Sequence, residues 1–362
     1  MLTKGNPLEL TKMNVFIMLN VSDGFMKCLK RPHWIIVSVV LLIHCSAKKD
    51  TVQESIVYPQ MEHQMGQLDK AYFDMISDFQ FYESELYLIA RSTPYVVYRL
   101  GDDYQIEGAF GKKGHGPGEF VDATKFDINE DTVFVVDAGK IRMLSYSIEG
   151  EFVEELNLTD RNYTTNNFSV DASGNFFTAS PSNEFPIAII NRAKNEVKNF
   201  GARIQYSNEM DDMINNRFHV HKTPSSIVSI STSNPVIGIY DLSGEKRGDI
   251  ALPENLVKSR LAYRQSEIKK DPEKRHFEYI LNYDTYIYKD ELYVLICENT
   301  KEDGFICNKI AVFSNIDSAP TFKTIVQLPG EVYETFCVNG EKIVAYETTT
   351  NTIQFLSLPD DD

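Results

Sequence analysis

The sharpest metal-binding candidate in the chain is His219-Val220-His221. Residues two apart on a strand share a face, so both imidazoles point to the same side of whatever strand carries them. Zinc takes three or four ligands, and this pattern places two. Glu209, Asp211 and Asp212 are the nearest carboxylates upstream. With no third ligand placed, the pair reads as two histidines lining a channel or loop without metal. The run Gly111–Phe120 carries Gly-x-x-Gly beside Lys112-Lys113 and invites comparison with a phosphate cradle. A phosphate loop ends in Gly-Lys-Ser/Thr and opens a helix. Here Gly118-Glu119-Phe120 leads into a strand-like run, and the Glu119 carboxylate repels phosphate. Gly111, Gly114, Gly116, Pro117, Gly118, Glu119 and Phe120 therefore read as a shaped structural connection. No Gly-x-Ser-x-Gly elbow, cysteine–histidine arrangement or helix-borne carboxylate pair is present. No cofactor is expected, and a catalytic role is disfavoured.

The elements that position these residues come from a repeat. A strongly apolar strand recurs around Tyr87, Phe134, Phe176, Val228, Tyr293 and Val344, with turn residues after each. The shortest intervals match the roughly 40–50-residue period of propeller blades. The longer ones hold insertions at 202–216 and 254–280. Each unit reads as four strands. His219 and His221 fall on the expected inner strand of the fourth unit, Phe218–Lys222. The sixth unit supplies three strands, ending with Thr352–Leu358, which leaves an exposed edge. Val52–Pro59, rich in β-branched and aromatic residues, is the expected fourth strand, pairing the two chain ends. The fold class is all-β, a six-bladed propeller of four-stranded antiparallel blades, closed by an N-terminal strand that completes the last blade.

The motif Gly-His-Gly-Pro-Gly-Glu-Phe (114–120) resembles the inter-blade loop of NHL-like and TolB-like β-propellers. Over residues 52–358 the pattern is similar to six-bladed TolB-like lipoproteins of Bacteroidetes-type bacteria. Asp137 and Arg142, flanking a hairpin, resemble the NHL pattern and imply a turn and an ion pair. Some six-bladed propellers are calcium-dependent lactonases with Asp, Asn and Glu ligands at inner strand ends. Asp127, Asp171 and Asp284 are the residues available for that role. Aspartate is also what strand-terminal turns require, and the turn reading is preferred.

Domain organisation starts with residues 1–25 as a leader ahead of the true start at Met26. Lys27, Lys30 and Arg31 then precede the apolar run Trp34–Ile43. That run is a secretory signal, too short to span a bilayer as a helix. Leu42-Ile43-His44-Cys45 resembles a bacterial lipobox with Cys45 as the lipidated residue; His44 departs from the small residue usual there. The alternative is cleavage nearby without lipidation. Residues 46–362 form one propeller. These signals place the protein in the envelope of a Gram-negative bacterium, touching the membrane through the anchor alone. The net charge of −16 repels nucleic-acid phosphates and excludes them as partners.

Cys297, Cys307 and Cys337 are too few for a disulfide framework. The hairpin joining the first two is expected to set them one register apart, so free thiols are favoured. In the insertion, Leu256, Val257, Arg260, Leu261, Arg264 and Ile268 fall at helical spacing, in a locally basic segment. A solvated helix packed on the propeller is the bland reading. Arg260, Arg264, Lys269 and Lys270 are the candidate contact residues for a partner of unassigned identity, a protein, peptide or glycan. The rival to a binding module is a metal-dependent, lactonase-like hydrolase with its site at the central channel.

Overall fold

The computed structural model describes residues 55–66, 73, 75–160, 163, 166–194, 196–206, 209–270, 279–300 and 304–359. The leader, the signal and Cys45 lie outside these residues. Six antiparallel sheets follow one another along the chain, each beginning with an inner strand and ending with an outer one. Blade 1 comprises Ile76–Tyr82, Glu85–Ala90, Tyr95–Leu100 and Ile106–Lys112. Blade 2 comprises Ala123–Asn129, Thr132–Asp137, Arg142–Ser147 and Phe152–Asn157. Blades 3, 4 and 5 start at inner strands Ser169–Val170, Phe218–Lys222 and Asn282–Tyr288. Blade 6 starts at Tyr333–Val338. The inner strand of each blade touches that of the next, and blade 6 touches blade 1, which closes the ring.

Alternation along the second strands explains why the ring packs. Leu86, Leu88 and Ala90 face the blade 6 interface, whereas Tyr87 and Ile89 face blade 2. Likewise Val133 and Val135 face blade 1, and Phe134 and Val136 face blade 3. A strand buried on both faces must be apolar at every position, which is why these strands read as unbroken apolar runs. Outer strands such as Phe152–Asn157 are largely exposed, and here Glu154 and Glu155 put charge on the open edge.

Ring closure corrects one sequence expectation. The strand that completes blade 6 is Gln60–Met65, antiparallel to Thr352–Ser357, and not Val52–Pro59. Within the expected segment, Ile56–Val57 instead adds a parallel fifth strand to blade 5, beside Ile325 and Val326. An outermost strand needs few apolar residues, so the polar Gln-Met-Glu-His-Gln-Met run gave no strand signal.

A second correction concerns the cysteines. Cys297 and Cys307 form a disulfide with a Cα–Cα distance of 4.4 Å, and among the described residues Cys337 is left as a buried free thiol. The ladder skips a residue between Ile296 and Glu298. That bulge absorbs the one-residue slip expected to keep the sulfurs apart.

The glycine loop packs as a plug between blades 1 and 2. Gly111 has φ +70°, and a Cβ there would lie 2.6 Å from the Phe120 ring. Phe120 is buried. Gly116 donates its N–H to the Glu119 carboxylate at 2.7 Å. Arg142 and Tyr146 donate to the Glu119 and Gly118 carbonyls. Asp137 accepts the Asp122 N–H at 2.9 Å and pairs with Arg142 at 3.3 Å, both side chains buried.

Helix α1 (Glu209–Asn215) lies between blades 3 and 4, and α2 (Glu254–Lys270) between blades 4 and 5. Leu256 and Val257 of α2 are buried against blades 4 and 5. Ile268, at helical spacing with these residues, is 49% exposed.

Candidate functional site

Polar side chains of the inner strands converge on the channel. Lys125 Nζ of blade 2 sits 3.2 Å from both Asp78 Oδ1 of blade 1 and Asp284 Oδ1 of blade 5. Asp284 Oδ1 also accepts the Asn167 amide at 2.7 Å. Its Oδ2 accepts the Thr335 hydroxyl at 2.7 Å and the Phe336 N–H at 3.2 Å. Asp78 Oδ2 accepts the Phe126 N–H at 2.9 Å, and Asp127 Oδ2 accepts the Val170 N–H at 2.7 Å. Three aspartates thus perform one task. Each clasps the backbone of the next blade's inner strand.

The charges divide accordingly. Burial works to raise the Asp284 carboxyl, but Lys125 and the hydrogen bonds from Thr335 and Asn167 hold it below the usual range. Burial pushes Asp78 up to about 6 against the pull of Lys125. It pushes Asp127 up to about 7, with the Val170 N–H opposing. Lys125 stays protonated, since its two carboxylates outweigh burial. One ammonium therefore lies between two carboxylates of different blades.

His219 and His221 share this environment. His219 Nδ1 accepts the Asn167 N–H at 3.3 Å, which puts the ring proton on Nε2. His221 Nε2 lies 2.8 Å from the Thr285 hydroxyl. Burial lowers His219 to about 3 and His221 to about 4, so both are neutral. Among the described residues, no group of three or more His, Cys, Asp or Glu side chains is arranged to hold a metal ion. Asp212, upstream, instead accepts the Tyr206 N–H at 2.5 Å.

The turn reading holds for Asp171, which accepts the N–H groups of Ser173 and Asn175, each at 2.9 Å. It fails for Asp127 and Asp284, which are clasps on inner strands. Asp78 and Lys125 are functional residues that sequence reasoning missed. The signal available was an aspartate recurring inside the inner strands, in Ser-Asp-Phe, Phe-Asp-Ile and Tyr-Asp-Thr.

Beside the clasps lies a cavity of ≈160 Å³, on whose wall are Asp127, Asn167, Ser169, His221 and Thr285. Asn167 is 9% exposed; its amide hydrogens go to Asp284 Oδ1 and the Thr285 carbonyl, each at 2.7 Å. Its Oδ1 receives no hydrogen bond.

The candidate contact residues on α2 differ in their surroundings. Arg260 donates to the Ile280 carbonyl at 2.9 Å and to Asn299 Oδ1 at 3.1 Å. Arg264 donates to the Ser233 carbonyl at 3.3 Å and stacks over Tyr206 and Tyr279 at 4.9 and 4.8 Å. Both guanidiniums tie α2 to neighbouring segments of the chain. Lys270 is exposed and pairs with Glu267 at 2.7 Å, one turn earlier. Lys269 is exposed at the end of the helix.

Comparison with known proteins agrees with this architecture. A family model described as a 6-bladed beta-propeller (DUF5128) matches residues 68–242. No curated protein matches the sequence. A Bacteroides fragilis protein described as exported superposes with a TM-score of 0.56 at 11% identity, covering 85% of this chain and 99% of its own. A Bacteroides vulgatus member of the duf4221 family gives a TM-score of 0.57 at 14% identity, with the same coverage of each chain. At such identities the likeness is one of fold.

Proposed function

We propose that the protein is exported and held at the envelope of a Gram-negative bacterium by a lipid on Cys45. There it works as a binding module of the TolB-like and NHL-like kind, and not as a hydrolase. The observation that carries this reading is the state of the channel: its aspartates clasp neighbouring blades, and a lysine takes the cation's place. A general base or metal-bound water needs a carboxylate or imidazole that is free to act. The buried Cys297–Cys307 disulfide supports export, since such bonds persist in oxidising compartments. The fold relative described as exported fits the same location.

The cavity of ≈160 Å³ falls below the roughly 300–1,000 Å³ of pockets that enclose drug-sized ligands. A protein, peptide or glycan partner therefore docks outside the channel. The outer-to-inner connections of all blades lie at one end of the ring, and two of them carry α1 and α2. That end presents Met210, Met213, Ile268 and Phe305, all exposed, beside Lys269. Exposed methionines and aromatics among polar groups suit an adaptable contact.

Photo-crosslinkers placed at Met213 and Lys269, with a control at Val153 on the blade 2 rim, test this in native envelopes. A product specific to the first two positions supports the reading. Identical products from all three, or chelator-sensitive hydrolysis of a lactone by the pure protein, would overturn it.

A further inference from the structure

We infer that the outer rim of blade 5 is the membrane-facing surface, with the strand Ile56–Val57 against the lipid headgroups and the ring standing edge-on to the bilayer. This orientation rests on the lipid anchor at Cys45 proposed above and names the surface that the anchor brings to the membrane.

The first support is the place where the chain enters the ring. The Ser55 carbonyl accepts the Ile325 N–H at 3.1 Å and the Thr324 hydroxyl at 2.8 Å. Ile56 and Val57 then pair with Ile325 and Val326 as the outermost of five strands. The anchored chain thus joins the ring at its rim, and at neither mouth of the channel. Ten residues lead from Cys45 to Ser55, and fully extended they span at most ~36 Å. Blade 2 stands opposite blade 5 in the ring of six. At ~4.8 Å between strands, with the channel added, its rim is roughly 40 Å away. So short a tether keeps the blade 5 rim nearest the bilayer and the blade 2 rim out of its reach.

The second support does not depend on the anchor. The outer strands of the other blades carry charge, with Glu107, Glu154, Lys198, Lys246 and Glu62 as one residue from each. The edge of blade 5 is Ile56-Val57-Tyr58-Pro59, without a charge. Ile56 is 47% exposed and Tyr58 66%. An uncharged edge left in water is a pairing hazard, which a bilayer surface removes. Tyrosine settles at the headgroup layer, its ring in apolar surroundings and its hydroxyl in wet ones. On a chain of net charge −16, such a rim is also the part that anionic headgroups do not repel. Edge-on, the end that bears α1 and α2 opens along the bilayer. Since α2 packs on blades 4 and 5, it lies on the membrane-near half of that end. The docking partner is then met at the same membrane surface.

The test uses the exported chain with its lipid, in vesicles of phosphatidylethanolamine and phosphatidylglycerol that carry nitroxide-labelled headgroups. The only tryptophan, Trp34, lies in the signal, so an introduced one reports alone. Tyr58→Trp puts the reporter on the blade 5 rim, and Val153→Trp puts it on the blade 2 rim, where Val153 is 56% exposed. Tyr58→Trp is expected to lose about half or more of its emission to the nitroxide, and Val153→Trp to keep its own. Should Tyr58→Trp fail to fold, Ile56→Trp takes its place. Flotation with the vesicles reads the anchor separately. A chain that stays behind removes the anchor, and this orientation with it. A chain that floats with both reporters quenched alike, or with neither quenched, leaves the anchor standing and overturns the orientation.

Discussion

Replacing His219 and His221 together by glutamine should turn a ring with a level pH profile into one that weakens as pH rises. Burial pushes Asp78 up to about 6 and Asp127 to about 7 in the fold, against an ordinary 3.8. A carboxyl raised in this way binds its proton more tightly folded than unfolded. Its contribution is complete below about pH 4 and is lost as pH climbs through 6 and 7. The histidines act in the opposite sense. At about 3 and 4 against 6.5, the fold keeps them neutral. That stability is present above pH 6.5 and lost as pH falls through it. Between about pH 4.5 and 5.5 the fold carries nearly two aspartate protons that the unfolded chain lacks, and the unfolded chain nearly two histidine protons that the fold lacks; above that both differences shrink together. The slope of stability with pH follows the difference in bound protons, which is then near zero. Asp284 stays ionised and Lys125 protonated across this window, so neither adds slope. Removing both imidazoles leaves the aspartate protons unopposed, a loss of up to about 2.7 kcal/mol per pH unit. Thermal melts between pH 4.5 and 7.5 provide the assay. Wild-type Tm should stay level, while the double variant should fall steadily above pH 5. Parallel profiles for the two proteins would refute the compensation.

Four further outcomes follow from the same contacts. Lys125→Met strands Asp78 and Asp284 without a counter-ion and should cost about 3–5 kcal/mol in denaturant melts at pH 7.5; a loss under about 1 would show the ammonium to be dispensable. Cys297→Ser with Cys307→Ser reopens a short covalent loop and should cost about 3 kcal/mol, with mass spectrometry showing one fewer linkage in the unreduced protein. Deleting residues 60–65 should expose the Thr352–Ser357 edge and promote aggregation in light scattering, whereas a chain starting at Gln60 should stay monomeric. Cys45→Ser should move the protein from the membrane fraction to the soluble one, and label from fatty acid should vanish with it; retained label would remove the anchor from the proposal.

The blades were legible because each rule that shapes them acts over a few neighbouring residues. A second strand buried on both faces must be apolar throughout, and Leu86–Ala90 and Leu292–Ile296 announce themselves as such. Gly111 and Gly118 sit at positive φ where the chain reverses between blades, and a glycine cluster is a local signal for that. Legibility stopped where a strand's environment is half solvent. Gln60–Met65 has one side against blade 6 and the rest in water, so nothing in its composition marks it as the closing strand.

The channel was illegible for a different reason. Asp78, Lys125, Asn167, Asp284 and Thr335 come from five separate blades, and each alone is an ordinary polar residue on or beside a strand. Their meaning depends on which of them meet. Asp284 was visible as an aspartate but read as a turn, because the turn rule is local and the clasp on Phe336 spans two blades. Arg264 shows the same limit: counting basic residues cannot say whether a guanidinium lies over Tyr206 and Tyr279. The cysteines failed by one residue, since the bulge at Cys297 shifts the register that loop length alone would set. In each case the deciding contact joins segments whose approach is set by the closure of the ring. Chemistry at the axis of a propeller is therefore read by aligning inner strands with one another, position by position. On that alignment Asp78, Lys125 and Asp284 fall at one position of their strands and Asp127 two residues further along, so the cation and its two carboxylates share one level of the ring.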